Sequence, residues 1–336
     1  YEALLLDAMA GNAALFMRAD QVEEAWKVVM PVLNYWEQQD KTALPQYASG
    51  TWGPVEADDL LKQEGHEWIN PRATNVMTKV IEESKDSALK EVLNLHVFQN
   101  PDDLSYSAAQ LFVRKSREAV EKNGRFVVCL TGGSSPKKMY EMLTKPPFVN
   151  DVPWSKTHVF WGDERPVPFE DPDSNAGMTM ELLLDHVQVA KENIHPIQGH
   201  IRPDIAALQY EESLQEFFQG QSPKFDFILL GMGGDGHTAS LFPHVPFPQK
   251  AMTWVKEVWV DKMDTYRITL TPQLINQAEC IAFLTYGEKK AEALYEVLEG
   301  KSNPNEYPAQ LIRPEDGELH WFVDHKAAAW LSKEKD

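Results

Sequence analysis

The stretch Phe225-Asp-Phe-Ile-Leu-Leu-Gly-Met-Gly-Gly-Asp-Gly-His-Thr-Ala-Ser-Leu-Phe-Pro243 joins a short apolar run to a loop that contains four glycines. The run Phe225–Leu230 has the length and composition of a buried strand. In the loop after it, Asp235 and His237 lie two residues apart, at the start of a predicted helix. Ligands bind beyond the carboxyl ends of strands in open α/β sheets. The stretch therefore predicts a buried strand that ends in a polar ligand-binding loop.

Working outward from this strand, β/α alternation extends over the chain from about Leu95. Further strand-sized runs lie at Arg125–Leu130, Thr157–Trp161, Tyr266–Thr271, Cys280–Tyr286 and His320–Val323. Helical patterns lie at Ser105–Lys122, Pro136–Leu143, Asn175–Leu184, Asp204–Phe218 and Lys289–Leu298. Buried apolar strands separated by helices form parallel sheets that are covered on both faces. We therefore predict an α/β fold with a mainly parallel sheet and helices on both faces.

The N-terminal region has a different pattern. It predicts a short helix over Leu4–Met9, a second helix with Asp20 as its N-cap, and a loop rich in proline and glycine at Leu44–Pro54. The 336 residues are enough for about two domains. We assign residues 1–75 to a helical and loop fragment, 76–93 to a linker and 94–336 to the α/β domain. Because Tyr1 already lies in a helical pattern, we interpret the chain as part of a longer protein.

Composition excludes several classes of protein. The 32 Lys+Arg residues against 51 Asp+Glu give a net charge of −19, which disfavours nucleic acid and membrane surfaces as partners. No apolar run is long enough to span a bilayer. The two cysteines, Cys129 and Cys280, are far apart in the sequence, so we predict no disulfide framework and no metal site. These features predict a cytoplasmic protein, and an anionic substrate would require a local cluster of cations or backbone N–H groups.

Four further segments, namely three loops that follow predicted strands and one predicted strand, carry residues that suit an anion. Thr131–Pro136 follows a strand and precedes a helix with Pro136 at its first position, so its N–H groups favour phosphate, although the same residues are common in plain turns. Arg165 follows another strand and suits an anion, with a surface ion pair as the alternative. Arg267 lies within a predicted buried strand and requires an anionic partner. Lys290 follows a strand end, and a solvated helix face is the alternative for it.

The glycines of the first loop also satisfy a dinucleotide-binding pattern. Gly231, Gly233 and Gly236 match GxGxxG, and Glu257 lies about 20 residues further on. This interpretation would make the protein a nicotinamide-dependent oxidoreductase. The pattern normally follows the first strand of its domain, whereas this loop follows at least two others. An Asp two residues before a His is more typical of a reacting pair.

Four segments together resemble 6-phosphogluconolactonase. They are Thr131–Pro136, Trp161–Arg165, Asp173–Gly177 and Gly231–Pro243, in the order found in that family. The resemblance extends from about Leu95 to Leu331. It implies hydrolysis of 6-phosphoglucono-δ-lactone to 6-phosphogluconate in the oxidative pentose phosphate pathway, without metal or cofactor. It also implies the fold of sugar-phosphate isomerases and glucosamine-6-phosphate deaminases.

The resemblance also implies roles for individual residues. His237 matches the catalytic histidine, with Asp235 beside it, and Arg165 matches the active-site arginine. The phosphate loop and the further phosphate contacts fall on Gly132, Gly133, Ser134, Ser135, Arg267 and Lys290. Neutral His237 would take a proton from water as it attacks the lactone carbonyl. Arg165 would serve either the oxyanion or the phosphate.

The N-terminal fragment has a resemblance of its own. Tyr1–Asp7, Leu15–Arg18, Val22–Trp26 and Tyr47–Pro54 are similar to the C-terminal end of glucose-6-phosphate dehydrogenase. That enzyme makes the lactone, so the resemblance implies a dehydrogenase–lactonase fusion with the dehydrogenase portion upstream of Tyr1. We expect no dehydrogenase activity from the fragment. Three alternatives stay open beside lactone hydrolysis, namely an amino-sugar-phosphate deaminase or isomerase, a nicotinamide-dependent oxidoreductase, and a non-catalytic module that docks onto a dehydrogenase.

Overall fold

The computed structural model describes residues 19–37, 75–80, 92–219, 223–245, 253–314 and 316–331. The chain divides into two compact units, Tyr1–Arg72 and Ala73–Asp336. In the first unit, helix α1 spans Ala19–Glu37, so Asp20 lies inside the helix rather than at its N-cap. The helix predicted at Leu4–Met9 and the loop at Leu44–Pro54 lie outside the described residues. No helix in the described ranges is long and apolar enough to cross a membrane.

The second unit is built from alternating strands and helices. Its described strands are β1 (Asn75–Val80), β2 (Val92–Phe98), β3 (Phe126–Leu130), β4 (Thr157–Trp161), β5 (Asp163–Glu164), β6 (Phe227–Gly231), β7 (Val255–Val260), β8 (Thr265–Leu270), β9 (Cys280–Thr285) and β10 (Glu318–Asp324). Its described helices are α2 (Pro101–Asn123), α3 (Lys137–Leu143), α4 (Phe148–Asp151), α5 (Asn175–Leu182), α6 (Pro203–Phe217), α7 (Pro272–Ile275) and α8 (Ala291–Leu298).

Seven of these strands form the central sheet, in the order β1-β2-β10-β9-β6-β3-β4. Every neighbouring pair is parallel except β1 and β2, which are antiparallel. The mainly parallel α/β fold predicted from the sequence is confirmed. Strand β1 overlaps the predicted linker, 76–93, and it extends the sheet at one edge.

A smaller antiparallel sheet contains strands β5, β8 and β7. The prediction that Tyr266–Thr271 joins the parallel strands is wrong, because β8 pairs antiparallel with both β5 and β7. Only residues 261–264 connect β7 to β8, and a parallel crossover needs a dozen residues or more. Asp264 closes the turn with φ at 49°. The hairpin therefore lies beside the main sheet rather than within it.

Buried aromatic side chains fix the helices onto the central sheet. Phe112 of α2 packs edge-on against Phe126 and Phe227, with ring centroids 5.3 Å and 5.5 Å away. Asn100 caps the start of α2 by accepting two backbone N–H bonds, and Gly124 ends it with φ at 75°. Helix α2 thus packs across β3 and β6, which pair in parallel, so the loops that follow these two strands emerge at the same edge of the sheet.

Candidate active site

The loop after β6 is a compact turn and not the start of a helix. Gly233 donates its N–H to the carbonyl of His237 at 2.8 Å, and Gly236 donates to the carbonyl of Gly233 at 3.2 Å. The hydroxyl of Thr238 donates to the carbonyl of Gly231 at 2.8 Å. The sequence prediction of a helix at Asp235 and His237 is therefore wrong. Because Gly236 has φ at 75°, the chain folds back on itself instead of continuing into a helical turn.

The turn presents Asp235 and His237 as a hydrogen-bonded pair. Nδ1 of His237 lies 2.5 Å from Oδ1 of Asp235, and the two side chains are 29% and 31% exposed. The His237 ring stacks on Phe242, with ring centroids 4.5 Å apart. Lys262 contacts the other carboxylate oxygen of Asp235 at 3.3 Å. The hydrogen bond from His237 holds the pKa of Asp235 well below its usual range, with Lys262 acting in the same direction against burial. Asp235 is therefore a carboxylate that orients the imidazole.

The side chains of Asp235 and His237 pack directly against Gly233. A Cβ atom at this position would come within 2.1 Å of Nδ1 of His237 and 2.4 Å of Oδ1 of Asp235. Both distances are far shorter than van der Waals contact, so any larger residue would displace the pair. The glycine that suggested a nucleotide-binding pattern in the sequence instead makes room for the histidine and the aspartate.

The loop after β4 is held by a buried carboxylate, Glu164, to which the sequence alone assigned no role. Glu164 is 1% exposed and accepts the backbone N–H bonds of Asn175 at 2.7 Å and Ala176 at 2.8 Å. It also accepts the N–H of Arg165 at 2.8 Å. Burial raises the pKa of Glu164, and these N–H donors act against the rise. Glu164 thus caps the N-terminus of α5 and fixes the backbone of Arg165.

Asp163 joins the loop after β4 to the loop after β6. Its Oδ2 accepts the hydroxyl of Ser240 at 2.6 Å, and its backbone carbonyl accepts Nδ2 of Asn175 at 2.8 Å. The backbone N–H of Ser240 in turn donates to the hydroxyl oxygen of Thr269 on β8 at 3.3 Å. Asp163 and Ser240 are both buried. Both lie within the sequence motifs, but neither received a role there, because their contact joins residues 77 positions apart.

Two arginines lie close to each other beside this junction. Arg165 donates to the backbone carbonyl of Asp173, and Arg267 donates to that of Tyr266 at 2.8 Å. Burial and the neighbouring Arg165 lower the pKa of Arg267. In the described part of the chain neither guanidinium forms an ion pair with a carboxylate. Arg267 is half-buried in the antiparallel hairpin, not enclosed in the main sheet as predicted, so the two cations can share an external anion.

Lys290 lies at the end of the short helix Glu288–Lys290, after β9. It is half-buried, and burial lowers its pKa while the charge of Asp235 raises it. Lys290 is therefore near the Asp235–His237 pair rather than on a fully solvated helix face.

The glycine loop after β3 packs against the same set of residues. A Cβ atom on Gly132 would lie 1.6 Å from Oδ1 of Asn175, and Gly133 has φ at 80°. The hydroxyl of Tyr286 donates to the carbonyl of Ser134 at 3.0 Å. The N–H groups of residues 132–135 have no acceptor within the part of the chain that the structure describes. Pro136 is the N-cap of α3, one position before the first helical residue, whereas the sequence predicts it at the first helical position. The loop offers free donors beside the end of β6.

The structure therefore gathers the predicted site residues at the carboxyl edge of the parallel sheet. They come from the loops after β3, β4, β6 and β9 and from the β7–β8 hairpin: Gly132, Gly133, Ser134, Ser135, Arg165, Asp235, His237, Arg267 and Lys290. A histidine–aspartate pair surrounded by cations at this edge defines an α/β enzyme that acts on a small anionic molecule.

The chain belongs to the family described as glucosamine-6-phosphate isomerases/6-phosphogluconolactonase, which matches residues 99–321. It is 43% identical over 216 residues to a 6-phosphogluconolactonase of Synechocystis sp., covering 62% of this chain and 86% of the relative. It is 39% identical over 241 residues to a 6-phosphogluconolactonase of Nostoc sp., covering 69% of this chain and 96% of the relative. The crystal structure of 6-phosphogluconolactonase from Thermotoga maritima superposes with a TM-score of 0.60 at 27% identity, covering 69% of this chain and 99% of that one.

The N-terminal resemblance is confirmed independently. Residues 1–69 match the C-terminal domain of glucose-6-phosphate dehydrogenase. The match ends close to residue 75, the predicted end of the fragment.

Proposed function

We propose that this chain hydrolyses 6-phosphoglucono-δ-lactone to 6-phosphogluconate, a step of the oxidative pentose phosphate pathway. The observation that carries the proposal is the Asp235–His237 pair, with Nδ1 and Oδ1 2.5 Å apart, at the edge of the sheet where ligands bind. The relatives that bear the name 6-phosphogluconolactonase support the choice of substrate.

His237 acts as the general base in this proposal. Its Nδ1–H donates to the carboxylate of Asp235, which leaves Nε2 with a lone pair. Nε2 has no partner among the described residues, and the ring is 29% exposed, so a water molecule can reach it. This water loses its proton to Nε2 as its oxygen attacks the lactone carbonyl. The tetrahedral intermediate then collapses, the bond between the carbonyl carbon and the ring oxygen breaks, and the ring oxygen takes the proton from Nε2 to become a hydroxyl group, which returns His237 to its neutral form. General-base assistance of this kind contributes ~10²–10⁴-fold to the rate.

Asp235 stabilises the imidazolium that forms in the transition state. Because its pKa is held well below the usual range, it remains a carboxylate throughout the pH range in which a neutral histidine can act as a base. The lactone is an activated ester, so a covalent nucleophile is unnecessary. The proposed reaction uses water and requires neither a metal nor a cofactor.

The basic side chains and the glycine loop bind the phosphate and stabilise the oxyanion. Arg165 and Arg267 lie close together without carboxylate partners, and the N–H groups of residues 132–135 are free in the described part of the chain. Lys290 adds a third cation near Asp235. This local cluster overcomes a net charge of −19, which would otherwise repel a dianionic substrate. Binding the distant phosphate positions the lactone carbonyl for attack.

The direct test is lactone hydrolysis by the full chain at neutral pH, with the spontaneous rate subtracted. We expect a rate well above the spontaneous one and no release of ammonia from glucosamine 6-phosphate. Hydrolysis at the spontaneous rate would overturn the proposal. Ammonia release without lactone hydrolysis would instead assign the deaminase activity that the family also contains.

We further propose a functional link to glucose-6-phosphate dehydrogenase. The similarity of residues 1–69 to that enzyme's C-terminal domain supports it, because the dehydrogenase reaction supplies the lactone. A dehydrogenase portion in the same polypeptide would supply the lactone that the α/β domain hydrolyses. Both cysteines of the chain are buried and unpaired, which suits the reducing conditions of the cytoplasm.

A further inference from the structure

A second group of reactive side chains lies at the amino end of two central strands, away from the candidate active site. Cys280 is the first residue of β9, and Glu318 is the first residue of β10. The two residues are direct partners in the parallel register, and His320 follows two positions after Glu318. Residues two apart on a strand share a face. The thiol, the carboxylate and the imidazole therefore project to the same side of the sheet.

The ligand atoms of these three residues are close enough to bind one ion. A thiol sulfur, a carboxylate oxygen and an imidazole nitrogen of Cys280, Glu318 and His320 all lie within 4.8 Å of one another. Oε2 of Glu318 is 2.9 Å from Nε2 of His320. Ligands of a tetrahedral zinc ion lie roughly 3.3–3.6 Å apart, given metal–ligand bonds of about 2.0–2.3 Å. Small side-chain adjustments would bring the three atoms to that spacing.

Neighbouring residues hold two of the ligands in place. Lys115 of α2 contacts Oε1 of Glu318 at 2.7 Å, so the other oxygen, Oε2, is turned toward His320. Nδ1 of His320 lies 3.0 Å from Nε2 of His96 on β2, and the two rings stack with centroids 5.3 Å apart. A partner on the far nitrogen fixes the orientation and the tautomer of a metal-binding histidine.

The hydrogen-bond chain permits exchange of a proton for a metal ion. Without metal, His96 donates its Nε2–H to His320, which donates its own Nε2–H to Glu318. With metal, the proton on Nε2 of His320 leaves to solvent and the proton shared by the two rings moves from His96 to Nδ1 of His320. Nδ1 of His96 then takes up a proton from solvent, so both imidazoles stay neutral and the His96–His320 hydrogen bond reverses direction. The thiol proton of Cys280 also leaves, because thiolate is the form that binds metal. Apart from the new bonds to the ion, which replace the hydrogen bond between His320 and Glu318, metal binding moves only hydrogen atoms.

We propose that Cys280, Glu318 and His320 form a binding site for a zinc ion, with His96 as the residue that positions His320. One sulfur, one nitrogen and one oxygen are a ligand set that zinc accepts, and three protein ligands leave a fourth position for water. Cys280 and His320 are buried, at 0% and 6% exposure, whereas Glu318 is exposed and provides the route of entry. The ion would tie the amino ends of β9 and β10 together. This site is independent of the proposed function.

Cobalt(II) is a suitable probe, because it binds at zinc sites and a cobalt–thiolate bond absorbs in the near ultraviolet. The full chain is treated with a chelator, dialysed and titrated with cobalt chloride. We expect one cobalt ion per chain to produce a thiolate-to-cobalt band, and excess zinc to abolish it. Cys280→Ser and Glu318→Gln should each remove the band or weaken binding strongly. His96→Phe should keep the ring stacking and weaken binding ~10–100-fold.

Cys129 provides the matched control. It is also fully buried in a central strand, and it belongs to no group of metal-ligating side chains within the described residues. Cys129→Ser should therefore keep the cobalt–thiolate band. A wild-type chain without the band, or a band that survives in Glu318→Gln and Cys280→Ser, would overturn the proposal. Glu318 is exposed, so its substitution leaves the fold intact and decides the result even if a buried cysteine variant does not fold.

Discussion

Each edge of the central sheet carries a carboxylate–histidine pair whose two residues are two positions apart in the sequence. Asp235 and His237 lie 2.5 Å apart at the carboxyl edge, and Glu318 and His320 lie 2.9 Å apart at the amino edge. A lysine contacts the carboxylate in both pairs, at 3.3 Å in the first and 2.7 Å in the second. In both pairs the hydrogen bond to the histidine lowers the pKa of the carboxylate. The sequence alone does not distinguish the two pairs, because in both an acidic residue precedes a histidine by two positions.

The two pairs differ in the surroundings of the second histidine nitrogen, the one that does not contact the carboxylate. The far nitrogen of His237 has no partner among the described residues, and its side chain is 29% exposed. The far nitrogen of His320 is bonded to His96, and its side chain is 7% exposed. Gly234 and Gly236 flank Asp235 and let the loop leave the sheet, so the far nitrogen of His237 stays open. Glu318 and His320 instead lie within a strand. A histidine–carboxylate pair can therefore act as a base only where the fold leaves one nitrogen open.

The largest expected effect follows from this difference. His237→Gln should lower kcat at least ~10²-fold with little change in KM, because the proton transfer occurs only in the transition state. Steady-state lactone hydrolysis, corrected for the spontaneous reaction, measures both constants. His320→Gln is the matched control and should keep most of kcat. Equal losses in the two variants would contradict the distinction between the pairs.

A change of backbone should break the first pair without removing either side chain. In Gly233→Ala, the new methyl group would lie 2.1 Å from Nδ1 of His237, so the ring must move. A displacement of about 1 Å at a reacting group can lower the rate ~10²-fold, and we expect kcat to fall by about that factor.

The control for this variant is Gly124→Ala. Gly124 has φ at 75°, and a methyl group added to it would meet nothing within 4 Å, so its substitution strains a helix end without touching the site. It should lower thermal stability and leave kcat unchanged. If Gly233→Ala retained full kcat, the close packing over the pair would have no role in catalysis.

A smaller effect is expected from the cations that surround the first pair. Arg267→Leu should raise KM for the phosphorylated lactone roughly 10-fold or more, because a hydrogen bond to a charged group contributes about 1.5–3 kcal/mol. The same variant should have much less effect on glucono-δ-lactone, which lacks the phosphate. Arg117→Leu, which removes a surface ion pair with Asp151, is the control and should change neither KM. Equal losses on both lactones would make Arg267 a structural residue.

The first pair could be predicted from the sequence because the information is local. Asp235 and His237 follow an apolar strand, and the glycines around them mark an irregular loop. The shape of that loop could not be predicted in the same way. Whether the chain continues into a helix depends on hydrogen bonds such as that of Thr238 with Gly231, seven residues away.

Contacts that bring different loops together leave no local signal. Lys262 reaches Asp235 across 27 positions of sequence, and Ser240 reaches Asp163 across 77. The β7–β8 hairpin could not be predicted for a related reason, since Tyr266–Thr271 has the composition of a buried strand whichever sheet it joins. The proposed metal site could not be predicted for the same reason, because the nearness of Cys280 to Glu318 is fixed by strand register alone.

The smallest expected effect concerns acid stability at the second pair. The hydrogen bond from His320 lowers the pKa of Glu318 to about 2, so on acidification the unfolded chain takes up this proton before the folded one. The stabilisation is thus complete above the ordinary glutamate pKa and is lost as pH falls from about 5 toward 2. Because the Glu318 side chain is 46% exposed, solvent screening limits this stabilisation to about 1 kcal/mol or less.

Glu318→Gln should therefore be less stable than wild type near neutral pH and approach the wild-type stability in acid. Urea unfolding of both proteins in chelator-containing buffer, at about pH 6 and about pH 3, measures the difference. A gap between the two proteins that does not change with pH would mean that the carboxylate of Glu318 is not held by His320, and the similarity of the two edges would be lost.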